Sequence, residues 1–212
     1  MKDLYLIGNA HIDPVWLWSW QEGYHEVKAT FLSALDRLDE YDGFLFTCAC
    51  AQYYAWLEQD AQPLFQRVKK EVARGRICLV GGMWIQPDLN IPSGESLVRQ
   101  LLVSQRYFLS RFGHIAITGY NVDSFGQSGM LAMLYKKAGM KNYVWMRPGD
   151  SENPDIPQGA FRLKSVDGSE VLSFRIPYDM GAYTCKENIA GKIDFLRERA
   201  KQTGAAQMVF YG

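Results

Sequence analysis

The chain has 212 residues, of which 48% are hydrophobic and 14% aromatic, and this composition favours a folded protein with a sizeable core over a disordered one. Its 23 basic and 23 acidic residues give a formal net charge of zero, which offers no electrostatic case for nucleic acid or an anionic membrane as a partner. The sequence shows no signal peptide and no apolar run approaching the ~20 residues of a membrane-spanning helix, so we expect a cytoplasmic protein.

Short apolar runs alternate with longer amphipathic stretches from the start of the chain. Residues 4–8 have the pattern of a buried strand, and residues 22–41 that of a helix with one apolar face. A second strand is predicted over residues 44–50. A helical region follows over residues 52–73, and Pro63 is expected to break or kink it.

The alternation continues to residue 147. The predicted elements are, in order, a strand over 77–84, a helix opened by Ser93 and closed by Gly113, a strand over 117–123, a helix over 128–139 and a strand over 142–147. Strands that alternate with helices predict an α/β fold with parallel strands, as an open sheet or a barrel.

The pattern changes after Arg147. Residues 148–159 are predicted to form a loop, and residues 161–177 a hairpin around the Asp167-Gly168 turn. A helix over 186–203 then leads into an apolar strand at residues 208–212. We expect one domain, residues 1–212. Because a parallel strand normally continues into a loop and a helix, we also expect this domain to be part of a longer protein.

The four cysteines have two interpretations. Cys48 and Cys50 lie in one apolar run and Cys78 in another, while Cys185 follows the hairpin. Buried thiols at strand positions are favoured over a metal or redox role.

Chemically active side chains follow the carboxyl ends of the predicted strands, where the loops of a parallel sheet converge on one face. These residues are His11, Asp13, Trp84, Asp88, Asp123 and Arg147, with Tyr178 and Asp179 after the hairpin. Several carboxylates, a histidine, an arginine and aromatic rings predict a polar pocket whose side chains are compatible with binding a metal ion.

Some of these residues also have a structural alternative, and a lone histidine such as His11 near a strand end is compatible with a capping or core residue. His11 and Asp13 lie two apart on an extended segment and so point the same way, which suits a zinc-type cation, but H-x-D alone is a weak signal. Asp13 before Pro14 is also compatible with a turn, and Asp123 with the N-cap of the following helix. The tryptophans at 16, 18 and 20 either pack on the helix predicted over residues 22–41 or present rings to the apolar face of a sugar.

Three segments together resemble the amino-terminal catalytic domain of glycoside hydrolase family 38, the retaining α-mannosidases. They are NAHIDPVWLWSWQEG, GGMWIQPDLNIPSGESLVRQ and GYNVDSFGQSGMLAMLYKKAGMKNYVWMRP. The likeness runs from about residue 4 to 179 in several separate blocks, and it implies a fold like an incomplete seven-stranded (β/α) barrel.

The resemblance implies a role for each matching residue. His11 and Asp13 would bind zinc, and Trp16 would stack on the mannose ring. Asp123 would be both a zinc ligand and the catalytic nucleophile, and Arg147 would contact that nucleophile and the substrate. Looser matches imply substrate contacts for Tyr178, Trp84 and Asp88.

The sequence also departs from the family pattern. Gln127 stands where many members have histidine, and we expect it to hydrogen-bond behind the site. The family's fourth zinc ligand, a histidine, its general acid and its β-sandwich domains are expected beyond residue 212. An unpaired sheet edge would then allow the chain to self-associate.

The main hypothesis is therefore part of a zinc-dependent α-mannosidase that acts on mannose-containing oligosaccharides. One alternative is a fragment that binds carbohydrate without turnover. Another is a metal-dependent carbohydrate deacetylase, which would need a further histidine pair, and besides His11 the chain has only His25 and His114.

Overall fold

The computed structural model describes residues 3–149, 151–157, 159–177 and 188–211. Tyr178, Asp179 and Cys185, which the sequence analysis singled out, lie outside these ranges. The strands are β1 (Leu4–Ala10), β2 (Phe46–Ala49), β3 (Ile77–Val80), β4 (Thr118–Asn121), β5 (Asn142–Trp145), β6 (Gly159–Lys164), β7 (Glu170–Arg175) and β8 (Gln207–Tyr211). The helices are α1 (Trp20–Glu40), α2 (Ala51–Asp60), α3 (Gln62–Ala73), α4 (Gly94–Phe112), α5 (Leu131–Lys137) and α6 (Ile189–Thr203).

The strands form two four-stranded sheets, in the orders β3-β2-β1-β8 and β4-β5-β7-β6. All pairs are parallel except the hairpin of β6 and β7. The two sheets meet where the amide of Gly81 donates to the carbonyl of Thr118 at 2.9 Å. The predicted α/β fold, with parallel strands alternating with helices, and the predicted hairpin are confirmed.

The two sheets curve around a shared apolar interior. One buried cluster takes side chains from six of the seven strands that pair in parallel, and the partly buried Leu4 and Ile7 of β1 pack against it. Across it, the rings of Tyr120 on β4 and Phe210 on β8 lie 6.0 Å apart, and Asn9 on β1 donates to the Tyr120 hydroxyl at 2.8 Å. Among the described residues β8 pairs with β1 alone, so the seven strands form an arc of a barrel.

The helices pack on the outside of this arc through the faces that the sequence predicts. Val27, Phe31, Leu35 and Leu38 of α1 are all at most 2% exposed. Burying each such side chain stabilises the fold by about 1.5–3 kcal/mol. In the described part of the chain, no helix combines the length and apolar character needed to cross a membrane.

Local signals explain where the helices begin and end. The Ser93 hydroxyl accepts from the amide of Ser96 at 3.2 Å at the start of α4, and Gly113 ends that helix with φ of 80°. The predicted helical region over 52–73 is interrupted as expected. Pro63 lies in the first turn of α3, where an amide would have no intrahelical partner.

Within residues 3–149, two of the predicted boundaries differ from the structure by three residues or more. The third strand ends at Val80, before the predicted residue 84, because Gly81 and Gly82 adopt φ of 90° and 69°. The helix predicted over 128–139 begins at Leu131. Cys48 and Cys50 are buried free thiols as predicted, whereas Cys78 is partly exposed.

Candidate active site

Side chains from three separate strand ends meet at one rim of the barrel arc. His11 and Asp13 follow β1, Asp123 follows β4, and Arg147 follows β5. His11 Nε2 lies 3.5 Å from Asp13 Oδ1 and 3.9 Å from Asp123 Oδ2. The loops therefore bring together residues that are more than 100 positions apart in the sequence.

His11, Asp13 and Asp123 can hold a metal ion. Each offers one ligand atom, and the three atoms lie within 4.8 Å of one another. A four-coordinate zinc ion with bonds of about 2.0–2.2 Å needs donors about 3.3 Å apart, so small rotations would close the set around a cation. The three side chains are between 28% and 38% exposed, which leaves an open side for a further ligand. Among the described residues, this is the one such group of histidine, cysteine or acidic side chains.

The two carboxylate oxygens of Asp123 face different partners. Oδ2 points to His11, while Oδ1 lies 2.7 Å from Nε of Arg147. The guanidinium of Arg147 also lies 4.7 Å from the centre of the Phe125 ring, which is 74% exposed. The ion pair fixes the orientation of the Asp123 carboxylate. The N-cap alternative for Asp123 is excluded, because α5 begins only at Leu131.

Gln127 supports this arrangement from behind. Its side-chain amide donates to the carbonyl of Arg147 at 2.8 Å and accepts from the hydroxyl of Tyr143. Tyr143 is fully buried on β5. Gln127 therefore connects a rigid strand to the backbone of the arginine that holds Asp123.

The segment that carries His11 and Asp13 is held by two aromatic donors. The hydroxyl of Tyr53 on α2 donates to the carbonyl of Ile12, and the indole of Trp18 donates to the carbonyl of Asp13 at 3.0 Å. These bonds hold the backbone between the two proposed ligands and at Asp13 itself.

Cys50 directly follows β2 and precedes α2. It has φ of 99°, a backbone conformation that costs a non-glycine residue about 1–3 kcal/mol. Burial raises the pKa of its thiol to about 12, so the thiol is protonated at neutral pH. Cys50 is therefore a buried neutral group and not a nucleophile.

Gln86 is a site residue that the sequence analysis missed. Its Nε2 lies 3.0 Å from His11 Nδ1, and its Oε1 accepts from the amide of Val122 at 3.1 Å. It follows β3, between Trp84 and Asp88. Its place after a strand end was the one signal that pointed to it.

Trp84 and Asp88 are not part of the cluster. The Trp84 indole donates to Gln52 on α2 at 2.6 Å, and the ring packs edge-on against Tyr107 at 5.8 Å. Asp88 Oδ1 accepts from the amides at positions 90 and 91, which closes its own loop. Their predicted substrate contacts stay predictions.

The three tryptophans after β1 have different surroundings. Trp16 is 64% exposed and lies edge-on to Trp18 at 5.3 Å. Trp20 is the first residue of α1 and stacks on Trp56 at 6.3 Å. Trp20 therefore packs on a ring of α2 while staying 51% exposed, and Trp16 keeps a ring open to solvent beside the site.

A cavity of about 340 Å³ lies apart from the cluster. It is lined by Gln127, Tyr143, Trp145, Asp155, Ile156, Pro157, Phe161, Arg162 and Leu163. Gln127 and Tyr143 are the residues that it shares with the surroundings of the site. None of His11, Asp13 and Asp123 lines it, so it is not the place where the converging carboxylates would act.

Comparisons with known proteins agree on one family. The model of the glycosyl hydrolases family 38 N-terminal domain matches residues 1–211. Alpha-mannosidase G of Dictyostelium discoideum is 32% identical over 176 residues, which cover 83% of this chain and 16% of that protein. Human alpha-mannosidase 2C1 is 28% identical over 210 residues, which cover 99% of this chain and 20% of that protein. The chain thus spans about a fifth or less of the length of these relatives.

A solved structure shows the same fold. The crystal structure of an alpha-mannosidase from Enterococcus faecalis V583 superposes with a TM-score of 0.75 at 17% sequence identity. The match covers 100% of this chain and 24% of that one. At this identity the likeness supports the barrel architecture and no finer detail.

Proposed function

This chain belongs to glycosyl hydrolase family 38, and from that premise we propose that it carries part of the active site of a retaining α-mannosidase. The substrate is a terminal α-linked mannose of an oligosaccharide. The observation that carries the proposal is the meeting of His11, Asp13 and Asp123 within 4.8 Å, with Arg147 paired to Asp123. The cytoplasmic location expected from the sequence belongs to the same proposal.

The metal ion of the proposal is zinc. One imidazole nitrogen and two carboxylate oxygens form a ligand set that zinc accepts, and the exposed side of the site leaves room for substrate. When bound, the ion supplies a Lewis-acid template for the hydroxyl groups of the sugar.

Asp123 is the nucleophile in this mechanism. Its carboxylate forms a bond to the anomeric carbon as the bond to the glycosidic oxygen breaks, and water later hydrolyses the glycosyl-enzyme. The Arg147 guanidinium, 2.7 Å from Oδ1, keeps the carboxylate oriented during both steps. The proton for the leaving oxygen comes from a carboxylic acid that the proposal assigns beyond residue 212.

Aromatic rings at the rim suit a sugar substrate. Trp16 and Phe125 are 64% and 74% exposed. Trp16 lies in the loop that carries His11 and Asp13, and Phe125 in the loop that carries Asp123. An exposed ring beside a polar cluster is able to stack on the apolar face of a mannose ring. Trp16 is assigned this stacking role.

The deacetylase alternative is weaker. Such a site needs further histidines, and the metal-binding group among the described residues contains one, His11. His25 lies on the exposed surface of α1, and His114 Nδ1 lies 3.1 Å from the carbonyl of Phe112. Neither belongs to the cluster.

The test uses the complete protein that contains this chain, with an aryl α-mannoside as substrate. We expect release of the aryl group, an α-configured sugar as the first product, and loss of at least about 10³-fold of the rate in Asp123→Asn. A fluorinated mannoside that accumulates the glycosyl-enzyme should label the peptide that contains Asp123. A β-configured first product or a label elsewhere would contradict the mechanism. Sugar binding without turnover would favour the non-catalytic alternative.

A further inference from the structure

The side-chain amide of Gln86 contacts two groups, one at each of its ends. On one side is the backbone amide of Val122, at the end of β4, which donates to Oε1 at 3.1 Å. On the other side is the Nδ1 atom of His11, 3.0 Å from Nε2. An amide side chain has one oxygen that accepts and one nitrogen that donates, so each of its ends fits only one kind of partner.

This arrangement determines which nitrogen of His11 carries the proton. The backbone amide of Val122 only donates, so it requires the oxygen of Gln86. The nitrogen of Gln86 is then left for His11 and donates to Nδ1, which must accept. The proton of a neutral imidazole then lies on Nε2, the atom that faces Asp13 and Asp123 at 3.5 and 3.9 Å.

A metal ion needs the opposite arrangement. To bind a cation, Nε2 must present its lone pair, and the proton moves to Nδ1, where it meets the donating nitrogen of Gln86. Turning the amide of Gln86 over does not remove the conflict, because its nitrogen would then face the amide of Val122. In either orientation two donors face each other, so one hydrogen bond is lost when the site is loaded.

We propose that Gln86 is a positioning residue that holds His11 with its proton on Nε2 and thereby lowers the affinity of the site for a divalent cation. The inference rests on the proposed function, since it takes His11 as a ligand. A glutamate at position 86 removes the conflict. One of its oxygens accepts from Val122 and the other from a proton on Nδ1, which is the carboxylate–histidine–metal arrangement that strengthens metal sites.

The first measurement is the ¹⁵N spectrum of the histidine side chains in the metal-free 212-residue chain, at about pH 8, where an ordinary imidazole is neutral. The chain has three histidines, and His11→Gln identifies the signal of interest. We expect the proton of His11 on Nε2 in the natural sequence and on Nδ1 in Gln86→Glu. A proton already on Nδ1 in the natural sequence overturns the inference.

The second measurement is the affinity for Zn²⁺, by competition with a chelator of known affinity. We expect Gln86→Glu to bind about 10–100-fold more tightly than the natural sequence. Asn90→Asp is the matched control for the added charge. Asn90 lies in the loop after β3, beside Gly126 of the loop that carries Asp123. A Cβ added at Gly126 would lie 2.2 Å from Asn90 Nδ2. This control should change the affinity by less than about fivefold.

The outcomes separate the two proposals. If Gln86→Glu keeps its fold and binds Zn²⁺ no more tightly than Asn90→Asp, or does not bind it, the inference about Gln86 is wrong. If Asp123→Ala binds Zn²⁺ as tightly as the natural sequence, the proposed metal site is wrong. The position of the proton in the metal-free chain still tests Gln86 in that case.

Discussion

Gly23 allows the first turn of α1 to approach the loop that carries His11 and Asp13. A Cβ at Gly23 would lie 2.2 Å from the carbonyl oxygen of Pro14 and 2.8 Å from its carbonyl carbon. Both atoms belong to the backbone, so no change of rotamer relieves the contact. We therefore predict that Gly23→Ala destabilises the chain and weakens the metal site.

The expected size follows from two opposing effects. Replacing a helical glycine by alanine normally stabilises a helix by about 1 kcal/mol. Here the 2.2 Å separation must grow to at least 3.0 Å, and overpacking of this kind costs about 3 kcal/mol. The net loss of about 2 kcal/mol of unfolding free energy corresponds to a fall in Tm of about 4–8 °C. The shift of Pro14 also exceeds the ~0.5 Å within which a preorganised site holds its ligands.

Thermal unfolding and Zn²⁺ titration test this prediction, with Gly191→Ala in α6 as the matched control. A Cβ at Gly191 meets nothing within 4 Å, so alanine there should raise Tm by about 2–4 °C and leave Zn²⁺ binding unchanged. If Gly23→Ala is as stable as the natural sequence and binds Zn²⁺ equally well, the close approach of α1 to the ligand loop is wrong.

Three further predictions concern residues around the site. Arg147→Met removes a positive charge 2.7 Å from Asp123. It should tighten Zn²⁺ binding about two- to fivefold in calorimetry and slow mannoside hydrolysis by the complete protein at least about tenfold. Tyr53→Phe removes the donor to the carbonyl of Ile12; it should cost about 1–2 kcal/mol in urea unfolding and weaken Zn²⁺ binding. Burial raises the pKa of Cys50 to about 12, so the thiol ionises first in the unfolded chain and the unfolding free energy falls as pH rises from about 9 towards 12. Cys50→Ala should make this fall shallower by up to about 1.4 kcal/mol per pH unit, and an unchanged slope would contradict the burial of the thiol.

The helices and their ends were predictable because their signals are local. The apolar face of α1 repeats at helical spacing, and Ser93 and Gly113 cap α4 through contacts within a few residues. The strand order was not predictable in this way. The pairing of β1 with β8 joins residues about 200 positions apart, and no local pattern records it.

The site was predictable to the extent that it depends on strand ends. His11 and Asp13 are two positions apart and can be recognised as a pair in the sequence. Parallel strands end on one rim, and this rule, together with the family resemblance, predicted that Asp123 and Arg147 lie near them. Gln86 was missed because its importance comes from His11 and Val122, which are 75 and 36 positions away. Trp84 and Asp88 also follow a strand end, yet Trp84 contacts Gln52 and Tyr107, and Asp88 accepts hydrogen bonds from its own loop.

The most direct test of the account is the zinc content of the chain purified without chelator, measured by elemental analysis beside Asp123→Ala. The account predicts about one equivalent of zinc in the natural sequence and a small fraction of that in the variant, because Asp123 is one of the three proposed ligands. No zinc in the natural sequence after zinc is added, or an equal content in both proteins, would contradict the metal site formed by His11, Asp13 and Asp123.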